Sequence, residues 1–270
     1  MGMFQKNHGK NLRVVRLLAL PALATLAVAG MSQSSRASLV ASDNAGNTPY
    51  TVGSSFSGKN GGSGFGAWSV TNNSGGNFIS SADWSSITPW FDIYNTGGNQ
   101  TTATRALNSA LSSGETLSFN LVLNSAQTGG TVGFFLANSS NTGLFTYYQD
   151  GNDPSTAGYA VDANGTTSGI GVSYNYQSVD QMAFTLTSAT TYDFTVNNVL
   201  AHSGTISDSS GGISQLNFFD NNGGASSDVQ FTDLSIASAV PLPASFGLVM
   251  VGGLGLAGMA LSRRRSGIQA

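Results

Sequence analysis

Between residues 64 and 238, apolar and polar positions alternate in short runs, separated by clusters of Gly, Asn, Ser and Thr. The clearest run is 115–123. Leu117, Phe119, Leu121 and Leu123 fall on one side; Thr116, Ser118 and Asn120 fall on the other. A period of two points successive side chains to opposite faces, so this segment predicts a half-buried strand. Runs at 67–70, 90–94, 131–136, 144–148, 169–174, 182–187, 192–196 and 216–219 carry the same aromatic and β-branched signature. The last run, 229–236, alternates through Val229 and Phe231 and resumes after a shift at Leu234 and Ile236.

The breaks between runs are turn chemistry. Residues 72–76 and 95–98 are Asn/Gly clusters, Asn164-Gly165 is a strong turn pair, and Asn197-Asn198 predicts a two-residue hairpin into 199–202. The stretch 38–63, ending in the Gly/Ser-rich segment 57–63, reads as a loose lead-in. A short helix is suggested only at 103–111. About ten strands at fairly even spacing define an all-β chain, an antiparallel β-sandwich over 64–238.

The two ends follow a different pattern. Residues 246–261 form sixteen positions without a charge, followed by Arg263, Arg264 and Arg265. As a helix they would span roughly 24 Å at ~1.5 Å per residue. That approaches the roughly 30 Å of a bilayer core, and neighbouring Ala244, Ser245 and Ser262 extend it. Arginines directly after a span favour a cytoplasmic end. Pro241 and Pro243 hold the preceding piece extended.

Residues 239–266 resemble the PEP-CTERM sorting signal of exopolysaccharide-producing Gram-negative bacteria. The motif is Val240-Pro241-Leu242-Pro243-Ala244, a VPLPA-type variant with Leu242 where the usual core has Glu. The resemblance implies recognition by an exosortase-type enzyme while the helix holds the chain in the inner membrane. Cleavage near the Pro motif would follow, then release or attachment at the cell surface.

At the other end, Lys6, Lys10, Arg13 and Arg16 precede an apolar run at 17–31. Residues 1–37 therefore read as a secretory leader, with Ser35 and Ala37 as the small residues before a cut after Ala37; a cut after Ala41 is the alternative.

Charge sharpens the picture. Eight of the 10 Lys+Arg lie in these two ends, which leaves Lys59 and Arg105 against 13 Asp+Glu in the body. A domain with a net charge near −11 lacks the cationic footprint that nucleic acid requires. It is compatible with cations or neutral sugars. The absence of cysteine excludes disulfides and thiolate sites.

Candidate chemistry is sparse. Cleavage of a glycosidic bond needs two carboxyl groups across a cleft, and the body has one glutamate, Glu115. His202 is the only histidine after the leader and has no nucleophile elbow near it. Asp150 and Asp153, with Asp162 downstream, offer hard oxygen ligands for a structural Ca²⁺; Asp220 with Asp228 is a second such group. No other cofactor is suggested.

Aromatic side chains on a sandwich face can stack on sugar rings. The pool is Trp68, Trp84, Trp90, Tyr147, Tyr148, Tyr174 and Tyr176. Tyr147 and Tyr148 must point to opposite faces of a strand, whereas Tyr174 and Tyr176 share one; Tyr147, Tyr174 and Tyr176 are the ligand candidates. The aromatic runs at 133–136 and 192–196, with the closing run at 228–236, are similar to LamG-like and carbohydrate-binding jelly-roll modules. That resemblance implies a concanavalin-like jelly roll.

The expected function is an exported, non-enzymatic surface or matrix protein with weak affinity for exopolysaccharide. A secreted glycoside hydrolase using Asp pairs is the alternative. A third reading, an adhesin or ice-surface binder, asks for a flat Thr/Asn face; the threonines are scattered along the sequence.

Overall fold

In the computed structural model, the described residues are 37–81, 89–124, 128–152, 165, 167–170, 178–206, 211–222 and 228–239, together with the backbone of 159–162. Residues 1–36 of the expected leader 1–37, the Pro motif, the apolar segment, the arginine cluster, Trp84, Asp153, Tyr174 and Tyr176 lie outside them.

Fifteen strands are present and no helix occurs among the described residues. They are β1 (Ser38–Asp43), β2 (Phe65–Asn72), β3 (Gly75–Ser80), β4 (Trp90–Asn95) and β5 (Gln100–Leu107). Next come β6 (Glu115–Leu123), β7 (Thr131–Ala137), β8 (Gly143–Asp150), β9 (Tyr159–Asp162) and β10 (Thr167–Gly169). The series closes with β11 (Asp180–Leu186), β12 (Thr191–Val196), β13 (Val199–Thr205), β14 (Gln215–Asn221) and β15 (Asp228–Ser238).

They form two antiparallel sheets, a jelly-roll sandwich of the expected class. One sheet has eight strands in the order β13-β12-β11-β6-β15-β4-β3, with β1 also on β15. The other has seven, in the order β10-β9-β8-β7-β14-β5-β2. Alternate residues of facing strands fill the space between. Leu117, Phe119 and Leu121 of β6 enter the core, where Phe119 meets Phe134 of β7 and Phe218 of β14 edge-on. Phe218 and Phe231 stack across the middle, with centroids 3.7 Å apart and planes within 2°.

Turn chemistry sets the registers. Asn197 and Asn198 both have positive φ, 51° and 63°, as a tight hairpin between right-twisted strands requires. The shift expected in the last strand is a bulge at Asp233, φ 55°. It divides β15 between two partners: residues 228–231 pair with β4, and 234–238 pair with β1.

Three expectations are corrected. Residues 103–107 are strand, not helix: Thr101, Ala103, Arg105 and Leu107 alternate inward, and β14 and β2 pair on either side. Small residues there have no local preference strong enough to resist two flanking strands. Gly75 and Gly76 belong to β3 rather than to a turn. A Cβ on Gly75 would lie 1.9 Å from the Tyr94 carbonyl oxygen, so glycine is needed for the close approach of β3 to β4.

The third correction concerns 38–63. It begins with β1 and continues as a strap along one side of the sandwich. Gly53 N donates to Ile79 O and Ile79 N to Ser54 O, which caps the edge strand β3. Gly58 N donates to Trp68 O and Trp68 N to Lys59 O, which caps the edge strand β2 of the other sheet. Between these points Phe56 is fully buried, edge-on to Trp68 at 5.4 Å and to Phe91 at 5.2 Å.

Under the strap lies a buried ion pair. Arg105 Nη2 donates to Asp43 Oδ2 at 2.6 Å and to Asn60 Oδ1 at 2.7 Å, with both charged side chains fully enclosed. The guanidinium lies 4.8 Å from the Trp68 ring. Tyr50 Oη donates to the same Asp43 oxygen at 2.7 Å and accepts from Gly61 N. Burial pushes the Asp43 carboxyl up and the Arg105 guanidinium down from their ordinary values, and the attraction between them opposes both shifts. Burial also pushes the Tyr50 phenol up to about 12.

Candidate functional site

Inward alternation determines what each sheet shows on its outer face. In β7, Val132, Phe134 and Leu136 enter the core, so Thr131, Gly133 and Phe135 face out. In β14, Leu216 and Phe218 enter the core; Asn217 and Phe219 alternate to the other side of the sheet but are themselves buried, at 0% and 7% exposure. In β8, Phe145 and Tyr147 enter the core, so Thr146 and Tyr148 face out.

Register then aligns these side chains in two rows across the seven-stranded sheet. One runs Tyr148, Gly133, Phe219, Thr102, Thr71; the next runs Thr146, Phe135, Asn217, Thr104, Ser69. Phe135 and Phe219 lie 6.1 Å apart. Gly133 leaves a gap between Tyr148 and Phe219, which are two strand spacings, roughly 10 Å, apart. The gap is enforced by the backbone: a Cβ on Gly133 would sit 2.1 Å from the Tyr147 carbonyl oxygen.

Polar groups complete the face. Asn217 is fully buried; its Oδ1 accepts from Thr104 Oγ1 at 2.6 Å, and its Nδ2 donor has no protein partner. Tyr148 is half-buried, and burial together with the neighbouring Asp150 charge raises its phenol pKa. The half-buried rings of Tyr148 and Phe135, beside the hydroxyls of Thr146 and Thr102, can receive the apolar face of a pyranose and bond its hydroxyls, whereas Asn217 and Phe219, at 0% and 7% exposure, support that face from beneath.

The eight-stranded sheet presents a different outer face. Thr116 and Thr185 hydroxyls bond at 2.8 Å, Ser118 and Ser235 at 2.8 Å, and Ser203 Oγ donates to Asp193 at 2.6 Å. The threonines are divided between the two outer faces, and on this one the named hydroxyls bond one another or Asp193.

Of the residues expected as ligand contacts, Tyr147 is corrected. It is 2% exposed and packs on Phe134 and Phe194, each at 5.6 Å. Parity decides between the two neighbours: Tyr147 pairs with the inward Phe134, which leaves Tyr148 as the outward ring. Phe135, Phe219 and Asn217 are not among the expected contacts, although strict alternation through 131–136 and 216–219 carries that signal.

Asp150 Oδ1 accepts from Asn152 N and Nδ2, both at 2.9 Å, as the acid of a tight turn. Among the described residues no group of three or more His, Asp or Glu could hold a metal ion. Glu115 Oε2 accepts from Ser112 N at 2.8 Å and closes the turn before β6. His202 is not a free surface side chain: Nε2 bonds Ser168 at 2.8 Å and Nδ1 bonds Tyr192 at 3.1 Å.

No family model and no curated protein matches the chain. Solved structures do. A sialidase matches at 10% identity and a TM-score of 0.46 over 60% of this chain, which spans only 17% of the sialidase. A "Cellulose induced protein, Cip1" matches at 13% identity and 0.49, over 63% of this chain and 91% of that one. A Bacillus subtilis protein of unknown function with a galectin-like fold matches at 11% and 0.42, over 64% and 90%. The sandwich described above is read from its own strand pairing.

Proposed function

We propose that this chain is an exported cell-surface or matrix protein whose sandwich binds polysaccharide on the outer face of the seven-stranded sheet and does not cleave it. The observation that supports the binding is the pair of half-buried outward rings Tyr148 and Phe135 beside Gly133, set among Thr side chains, with the buried Phe219 packed behind Phe135. Support for a non-catalytic role comes from how the described carboxylates are used. Asp43, Asp180 and Asp233 bond Arg105, Asn197 and Asn120, and Glu115 closes a turn.

The leader carries the chain out. The 240–265 segment then holds it in the inner membrane until an exosortase-type enzyme cuts near Pro241 and Pro243. The product stays at the surface or is released, with exopolysaccharide as its partner. Ca²⁺ at Asp150 and Asp153 would be structural.

Binding is tested by retention of the protein on a panel of neutral and acidic polysaccharides, with and without Ca²⁺. Phe135→Ala combined with Tyr148→Ala is expected to weaken retention about tenfold, equivalent to ~1.4 kcal/mol, with little change in melting temperature. Equal retention by the double variant would remove this face from the proposal; no retention of the native protein would leave a purely structural role. Replacing Pro241 and Pro243 with Ala is expected to leave uncleaved protein in the membrane fraction, and normal processing of that variant would overturn the sorting reading.

A further inference from the structure

Where the chain enters and leaves the sandwich has consequences for how it is carried. Ser38, the first residue of β1, pairs directly with Ser238, the last residue of β15. Ala239 N still bonds Gly114 O at 3.2 Å, and the Pro motif starts at the following residue. Both connections to the terminal segments therefore leave from one pole. The same pole holds Glu115, which is opposite Ser238, and the turns at 112–114 and 187–190.

Two further observations distinguish this pole. Leu39 and Val40 lie there and are 63% and 47% exposed, large apolar side chains offered to the surroundings beside the exit point. The described carboxylates are also unevenly placed. Asp150, Asp180, Asp220 and Asp228 all lie at strand ends of the opposite pole. At the exit pole, among the described residues, there is Glu115, which accepts from Ser112, and one row further in Asp193, which accepts from Ser203. An anionic lipid surface repels carboxylates over about a Debye length, roughly 8–10 Å. Among the described carboxylates, that favours the approach of the exit pole.

We infer that, while the C-terminal segment is in the membrane, the exit pole with Leu39 and Val40 rests on the lipid surface and the Asp- and Asn-rich pole points away from it. This rests on the membrane reading of residues 246–261 and goes beyond it by assigning an orientation. The eleven-residue β15 sets the separation of the poles at about 35 Å, at ~3.4 Å per residue. The polysaccharide face would then stand upright, open along its length to material outside the cell.

The chain contains no cysteine, so single labels are simple to place. Ser113→Cys marks the exit pole and Gln100→Cys the other; both positions are exposed. Each variant, with the leader removed and residues 38–270 retained, is labelled with an environment-insensitive fluorophore. It is then reconstituted in vesicles containing anionic lipid and a lipid carrying a headgroup quencher. The label at 113 is expected to be quenched several-fold more than the label at 100. Leu39→Ser with Val40→Ser should reduce quenching at 113 while the chain stays vesicle-bound. Equal or reversed quenching in bound protein would overturn the orientation alone. Failure of the chain to associate with vesicles would overturn the membrane tail and the orientation with it.

Discussion

The two lateral sides of the sandwich are closed by different means. On one side the strap crosses from β3 to β2, donates and accepts backbone hydrogen bonds at both edges, and seals Phe56, Tyr50 and the Arg105–Asp43 pair beneath it. On the other, the side-chain bond between the edge strands β13 and β10 among the described residues is His202 to Ser168. Val199 and Leu200 of β13 stay 58% and 59% exposed. The strapped side draws on residues far apart in sequence, so its loss should be global. The other side is closed by a side-chain contact between two exposed edge strands, so its loss should stay local.

The largest expected effect is at the strap. Arg105→Ala strands the buried Asp43 carboxylate and should cost about 3–5 kcal/mol, read as a lower urea midpoint for the whole domain. Phe56→Ala should cost a similar ~3–4 kcal/mol through the cavity left among Trp68, Phe91 and Phe231. Tyr50→Phe removes one donor to Asp43 and one acceptor for Gly61 and should cost about 1–2 kcal/mol.

Across the molecule, His202→Ala should cost only ~1 kcal/mol. Hydrogen exchange should quicken in β10 and β13 and stay unchanged in β2 and β3. Global unfolding on the His202 variant, or purely local opening on the Arg105 variant, would reverse the comparison.

Asp180 gives a test of opposite sign. Its carboxyl accepts from Asn197 Nδ2 at 2.6 Å and so anchors the β12–β13 turn, yet burial raises its pKa. A raised folded-state value means the native state binds the proton more tightly than the unfolded state. Its contribution to stability therefore grows as pH falls through the folded value toward the ordinary 3.8. Asp180→Asn should be slightly more stable than the native protein at neutral pH, with a flatter dependence in the acid range, measured by urea titrations across pH.

The contrast between the sides is also a contrast in legibility. The β12–β13 hairpin is readable because its determinants are adjacent: an Asn-Asn turn between two alternating runs. The same holds for β6, whose apolar face is spelled out over nine residues. The strap is not readable. Its Gly and Ser content describes the turns correctly, but the partners of Tyr50, Phe56 and Asp43 are Phe91, Phe231 and Arg105, distant in sequence. The candidate face is half legible: alternation determines that one of Tyr147 and Tyr148 is outward, and only the pairing with Phe134 decides which. No sequence period reports that Gly133 is squeezed against a neighbouring carbonyl.

The pairing of Ser38 with Ser238 makes the strand order nearly a closed circuit. A short linker could join those two residues, and the chain could be reopened between Asn197 and Asn198, where the backbone already turns in the open. A circularly permuted chain of that kind would keep every strand pair described above. The order in which strands leave the ribosome would then be separable from the sandwich they build.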